Sequence, residues 1–223
     1  MSASFFSDTE MIILMVGGFL LLDAIIVVGL LYSLKARNKD FFTSLEQYSA
    51  AKGYGFQKNS LLALRFALTG KSSSGKKWCL STKASNKEND FCFTSQDFKN
   101  PPRLCMISPR QNNTYPRLEN SMNSPIAKWM IRTTLGIPKE LLENVQAVDL
   151  PNAELNSRFV SVADSTHSLR QVLNQRAETI LANWQDSRPF IMVSNQGFEI
   201  RFPVKKDLPT LEKLIALGEA ILS

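Results

Sequence analysis

The stretch MIILMVGGFLLLDAIIVVGLLYSL runs from Met11 to Leu34 and decides how this chain is organised. Fifteen of its 24 positions are Leu, Ile, Val or Phe, and Asp23 is its one charged residue. As a helix it would extend about 36 Å, which exceeds a bilayer core of about 30 Å. We therefore predict a transmembrane helix over residues 11–34.

Asp23 is the main argument against that prediction, because it lies at the middle of the apolar run. A central Asp costs about 3 kcal/mol on the insertion scale, whereas each large aliphatic residue or Phe returns about 0.3–0.6 kcal/mol. The fifteen apolar side chains together return about 7 kcal/mol, so insertion remains favourable.

The flanks of the run indicate an uncleaved anchor with a defined orientation. The tail of residues 1–10 carries Asp8 and Glu10 and no basic residue, whereas a secretory signal peptide needs a basic start and a shorter apolar stretch. The other flank opens with Lys35, Arg37 and Lys39. Basic residues mark the cytoplasmic side, so we predict an extracytoplasmic tail, a cytoplasmic C-terminal domain and, as the membrane, the bacterial inner membrane.

Two further segments complete the predicted organisation. Residues 35–52 are expected to form a juxtamembrane helix, because Phe41, Phe42, Leu45 and Tyr48 recur on a helical period. No Pro or Gly lies between Leu30 and Gly53, so this helix could simply continue the transmembrane one. Residues 53–223 are predicted to form one soluble domain. Its three cysteines are too few and odd in number for a disulfide framework, which agrees with a cytoplasmic location.

The soluble domain is predicted to be α+β, with an antiparallel sheet and helices packed on one face. Short apolar runs at 65–69, 78–82, 91–94 and 104–107 indicate a four-stranded meander. Residues 108–124 are expected to form an exposed loop. Pro125 starts a helix that ends at Leu135, and Pro138 opens a shorter one. Further strands are expected at 145–150, 159–162, 190–193 and 198–202. Amphipathic helices are expected from Asp164 or Ser165 to Trp184 and from about Pro209 to Leu222.

We find no catalytic, metal or cofactor motif in this sequence. Residues 70–77, GKSSSGKK, approach a phosphate-binding loop, but Lys77 stands where the hydroxyl residue is required and a strand follows. The three cysteines lack the close spacing of zinc ligands. His167 has Asp164 and Ser165 as neighbours in sequence, and residues this close cannot form a catalytic triad. We interpret Asp164 and Ser165 as helix caps, and expect no metal and no cofactor.

The positive charge of the chain indicates contact with an anionic surface. The net charge of +6 belongs entirely to residues 40–223, because the three acidic and three basic residues of 1–39 cancel. Eight basic residues and no acidic one lie between Lys52 and Lys87. We predict that Lys71, Lys76, Lys77 and Lys83 contact an anionic surface, such as lipid head groups. Nucleic acid is not expected, because no base-stacking aromatic motif accompanies the charge. Residues 126–132, which include Trp129, are predicted either to lie on the bilayer or to pack in the core.

Asp23 is the leading candidate for a functional residue. Ionisable residues inside membranes usually face a protein partner or an aqueous path. Gly18 and Gly29 lie within about 20° of each other around the helix and about 120–140° from Asp23, which gives a small-residue groove and a separate polar face. We predict a non-enzymatic accessory or scaffold subunit that binds other membrane proteins through this helix. The alternative is a membrane-apposed module that binds anionic lipid or a phosphorylated ligand; an enzyme is a third, less favoured hypothesis.

Overall fold

A computed structural model describes residues 8–60, 64–84, 89–98, 101–110, 125–143, 145–184 and 189–223. The predicted loop at 108–124 lies mostly outside these residues. Over the described part of the chain, the structure confirms the α+β class: a long apolar N-terminal helix precedes an antiparallel sheet with packed helices.

The first helix, α1, runs from Asp8 to Lys52 without a break. It therefore joins the predicted transmembrane and juxtamembrane segments into one element about 68 Å long at the usual rise per residue. The helix ends where predicted, at Gly53, which has the positive φ (69°) typical of a residue that terminates a helix.

The remaining elements follow in chain order. The strands are β1 (Gly55–Ser60), β2 (Arg65–Lys71), β3 (Lys77–Ala84), β4 (Asn89–Ser95), β5 (Leu104–Pro109), β6 (Gln146–Ala147), β7 (Phe159–Ala163), β8 (Phe190–Ser194) and β9 (Gly197–Pro203). The helices are α2 (Pro125–Leu135), α3 (Lys139–Leu142), α4 (Ala153–Arg158), α5 (Thr166–Val172), α6 (Gln175–Ala182) and α7 (Leu208–Leu222).

The helix predicted from Asp164 or Ser165 to Trp184 is in fact two helices. Of the two predicted caps, Ser165 caps α5 by accepting a hydrogen bond from the Ser168 amide. Asp164 instead accepts from the Arg103 amide and is not a cap. Asn174 then interrupts the pattern, and its side chain accepts from the Ala177 amide to cap α6. Asn competes well for backbone groups at helix starts, which explains why the apolar period continues while the helix does not.

Within the described residues the strands form one nine-stranded sheet in the order β1-β2-β3-β4-β9-β8-β5-β7-β6. The meander predicted from four apolar runs is wrong at its last step, because β5 does not pair with β4. The β8–β9 hairpin inserts between them, with β9 on β4 and β8 on β5. The first three runs do pair in sequence order, and β1 adds an edge strand that was not predicted.

Two apolar layers cover the sheet. The larger buries Phe93, Ile107 and Ile200 on one face under the end of α1 and the helices α4 to α7. The smaller lies on the opposite face, where Ile131 of α2 and Leu142 of α3 pack over Leu104 and Met106 of β5. Alternate residues of β5 therefore enter different layers, and all six residues of this strand are buried. We call the part of the second face formed by β3, β4 and β9 the open face.

The packing of α1 distinguishes the two ends of the strands. Phe41 and Phe42 contact Phe66 near the start of β2, with ring centroids 6.2 and 6.1 Å apart. Six residues later, Tyr48 lies beside Tyr54, which contacts Trp78 opposite the end of β2. Helix α1 thus runs in the direction of β2. We call the strand ends at the level of Phe41 and Phe42 the near edge, and those at the level of Tyr48 the far edge.

Candidate functional site

The first half of α1 is exposed wherever the structure describes its side chains. Every described side chain from Met15 to Leu34 is exposed, including Phe19 at 68% and Tyr32 at 75%. In the described part of the chain, one helix is long and apolar enough to cross a membrane, with a mean hydropathy of 2.3 in its most apolar window. So much exposed apolar surface requires a cover of lipid or another protein.

Asp23, Gly18 and Gly29 all lie on this uncovered part of α1. Nothing outside the helix approaches within 4 Å of the position where a Cβ would stand on Gly18 or Gly29. The two glycines keep the close angular spacing expected from the sequence, since eleven residues of regular helix turn almost whole revolutions. The structure therefore leaves both the glycine groove and the Asp23 face available to a partner.

The second half of α1 is fixed to the domain. Phe42 is 2% exposed and Leu45 is fully buried in the larger layer. Trp78 Nε1 donates a hydrogen bond to Glu219 Oε1 on α7 at 3.2 Å, and Tyr54 packs on the same indole with ring centroids 4.8 Å apart. Burial, together with nearby Tyr54, Glu212 and Glu219, raises the pKa of Tyr48 to about 12, so this phenol stays neutral. Helix α1 consequently enters the domain as a rigid element.

The four lysines predicted to contact an anionic surface do not form one patch. Lys71 and Lys77 pair across the β2–β3 hairpin at the far edge. Lys83 lies six residues further along β3, opposite Asp90, at the near edge. At about 3.3 Å per strand residue the two groups are about 20 Å apart.

Lys76 has a structural role that explains the GKSSSGKK sequence. Its ammonium group and the Ser74 hydroxyl both donate to the carbonyl of Leu222 in the last turn of α7. A cation at a helix C-terminus satisfies free carbonyls and complements the helix dipole. Trp78 follows in a strand, as predicted, and no helix begins here to hold a phosphate.

The open face carries a charged cluster that sequence reasoning missed, formed by Cys92, Glu199, Arg201 and Lys83. Arg201 donates to Glu199 from Nε at 2.7 Å and from its second terminal nitrogen at 3.2 Å, and the Cys92 thiol donates to Glu199 at 2.8 Å. Lys83 Nζ lies 3.8 Å from the same carboxylate. The alternation in Phe198-Glu-Ile-Arg-Phe202 indicated a polar face, but only the strand order shows which residues meet there.

Electrostatics keep this cluster charged at Glu199 and neutral at Cys92. Burial alone would raise the pKa of Glu199, but hydrogen bonds from Arg201 and Cys92, with the charges of Arg201 and Lys83, hold that pKa below its usual value. Burial and the Glu199 carboxylate raise the pKa of Cys92. A protonated thiol is a weak nucleophile, so Cys92 acts here as a hydrogen-bond donor.

The three cysteines are not brought together. Cys79 and Cys92 lie on the open face, whereas Cys105 is fully buried in the larger layer on the other side of the sheet. Burial raises the pKa of Cys105, and the charge of Asp164 adds to this shift. Among the described residues, no three His, Cys, Asp or Glu side chains are grouped so that they could hold a metal.

His167 and α2 complete the predicted candidates. His167 is exposed in the first turn of α5, where its Nε2 lies 3.1 Å from the Gln171 amide nitrogen. In α2, Ile131 is fully buried in the smaller layer while Trp129 remains 61% exposed. Trp129 borders a groove of about 350 Å³ between α2 and α3, with Arg132 and Lys139. The α2 segment therefore packs in the core through one face and leaves its indole outside.

No protein-family model and no curated protein matches this chain. Among solved structures, the crystal structure of the mycobacterial trehalose monomycolate transport factor A, TtfA, is similar over 84% of this chain and 92% of that one. The sequence identity is 9% and the TM-score is 0.45. At this level the likeness carries no conclusion about function.

Proposed function

We propose that this protein is a non-enzymatic accessory or scaffold subunit of a membrane protein complex, anchored by a single transmembrane helix. The exposed apolar half of α1 is continuous with a half that buries one face in the domain, and this continuity carries the proposal. An uncovered apolar helix fits a bilayer, and a helix fixed in a folded domain transmits its position to that domain.

The proposed contact within the membrane is Asp23 together with the glycine groove. A carboxyl group at the centre of a bilayer is costly unless it meets a polar partner, and Asp23 is exposed in the described part of the chain. The helix that meets Asp23 therefore carries a polar or basic group in its own spanning segment. Gly18 and Gly29, about 120–140° from Asp23 around α1, offer a separate face on which a neighbouring helix can pack closely.

The cytoplasmic location of the domain rests on the flanking charges. Lys35 and Lys39 are exposed on α1 directly after the apolar half, and basic residues at this position favour the cytoplasmic side. The open face and the α2–α3 groove then remain accessible to a cytoplasmic partner.

The test is an Asp23→Leu variant of the full-length chain, purified in mild detergent and analysed by quantitative mass spectrometry. We expect the variant to insert normally but to lose membrane partners that accompany the wild type. Ala24→Leu is the matched control, because it adds the same side chain on the same turn and keeps the carboxyl group. Undiminished co-purification with Asp23→Leu would remove the proposed contact.

A further inference from the structure

The near edge of the sheet brings together basic residues that are dispersed in sequence. Lys58 near the end of β1, Arg65 at the start of β2, Lys83 near the end of β3 and Lys206 after β9 are all exposed. Antiparallel pairing explains this grouping, because alternate strand ends return to the same edge: Lys58 pairs with Phe66, and Asp90, opposite Lys83, pairs with Pro203. We call these four residues the basic rim.

Acidic groups do little to offset the rim. Among the described residues of this edge, Asp90 is 4% exposed, and Asp207 accepts the Thr210 amide as the cap of α7. Asp40 is exposed on α1 but has exposed Lys35 and Lys39 on the same helix. Glu199 lies 3.8 Å from Lys83 Nζ, but Arg201 already pairs with this carboxylate at 2.7 Å, and the Lys83 side chain remains 61% exposed.

Helix α1 determines which way the rim faces. Since α1 runs in the direction of β2, its apolar half projects beyond the near edge. The helix rises about 10 Å from Leu34, the last residue of the apolar run, to Phe41, which lies at the level of Phe66. Arg65 is one residue closer to the apolar half. Lipid head groups occupy about 5–7 Å on each side of the hydrocarbon core.

We propose that the basic rim contacts the head groups of anionic lipids in the leaflet that α1 leaves. This inference rests on the proposed membrane anchor and assigns its surface contact to Lys58, Arg65, Lys83 and Lys206. Lys71 and Lys77 at the far edge lie about 20 Å further out, beyond the Debye length of about 8 Å at physiological salt. Of the four lysines expected from the sequence, Lys83 alone belongs to this contact.

Lysine acetylation in nanodiscs tests the proposal on the intact chain. The protein is reconstituted into discs of phosphatidylcholine alone or mixed with phosphatidylglycerol, acetylated briefly and analysed by mass spectrometry. We expect Lys58, Lys83 and Lys206 to react about threefold to fivefold more slowly in the anionic discs, because each cation near the surface gains favourable interaction there. Lys71 and Lys77 should react equally in both, and high salt should remove the difference.

A pair of charge reversals provides the matched control. In Lys58→Glu/Lys206→Glu the protection of Lys83 should be lost, while in Lys71→Glu/Lys77→Glu it should persist. Equal acetylation of the rim in both kinds of disc overturns the proposal, as does protection that requires other membrane proteins. Failure of the chain to incorporate into any disc would instead overturn the membrane anchor, so the two failures are distinguishable.

Discussion

Substitution of Gly218 tests whether α7 packs on the sheet as closely as the structure shows. A Cβ built on this residue would lie 2.4 Å from two ring carbons of Phe93, far inside van der Waals contact. The ring cannot retreat, because Trp78 stacks at 5.3 Å and Phe198 contacts it at 5.8 Å, both between ring centroids. Gly218→Ala should therefore force α7 away from β4.

The expected magnitude is the difference between two opposing effects. Overpacking of a filled core costs about 1–3 kcal/mol, whereas replacing a helical Gly by Ala gains about 1 kcal/mol of helix propensity. We expect a net loss of up to about 2 kcal/mol in the free energy of unfolding. Ala216→Gly on the same helix is the control, and its loss of about 1 kcal/mol measures the propensity effect alone.

Urea unfolding of the full-length chain in mild detergent, followed by tryptophan fluorescence, measures both variants. Helix α1 contains no tryptophan, while Trp78 and Trp184 are each 3% exposed in the domain, so the signal reports domain unfolding. A Gly218→Ala protein more stable than the wild type by about 1 kcal/mol, which is the propensity gain without any overpacking, would refute the packing of α7 on Phe93.

Two further predictions concern α1 and the charged cluster. Ala36→Pro should break the helix between its two halves at a local cost of about 3 kcal/mol. The midpoint of domain unfolding should stay unchanged, while pulsed EPR distances between labels at Val28 and Lys213 broaden; an unchanged distribution would contradict the rigid connection. Glu199→Gln should destabilise the domain at pH 7. The pKa of Glu199 is lowered in the fold from its ordinary value of 4.5, so the carboxylate stabilises the fold above pH 4.5 and loses this effect as the pH falls. The stability gap between wild type and variant should narrow below that pH in parallel urea titrations, and a constant gap from pH 7 to 3 would contradict the role of the carboxylate.

Local patterns in the sequence predicted most elements but not their arrangement. Runs such as Phe91-Cys-Phe-Thr94 identify strands because apolar residues alternate, and Pro125 marks the start of α2 because its ring suits the first helical turn. Strand β1 was missed because its sequence GFQKNS contains one large apolar residue, Phe56, and four of its six residues are exposed. The insertion of β8 and β9 between β4 and β5 depends on pairing over about a hundred residues, for which no local signal exists.

Among the candidate sites too, residues on one helix could be placed from the sequence, whereas residues on different strands could not. Asp23 and the glycines belong to one helix, so helical geometry alone placed them correctly relative to one another. The lysines belong to strands, where neighbours in sequence are carried to opposite edges and distant residues are brought together. Lys77 and Lys83 therefore separate, while Lys83 and Lys206 share an edge although more than a hundred residues lie between them.

Because α1 is continuous, weak contacts at the basic rim can orient the domain on the membrane. A flexible linker would leave the domain free to rotate, and each lipid contact would then have to offset the entropy lost on ordering the domain. A helix fixed by Phe42, Leu45 and the Tyr54–Trp78–Glu219 contacts removes most of that freedom in advance. Surface contacts that contribute about 1 kcal/mol each can then select among the few orientations that remain. A proline at Ala36 should consequently weaken the protection of Lys83 by anionic lipid as well as broaden the distances, which links the rigid helix and the rim in one measurement.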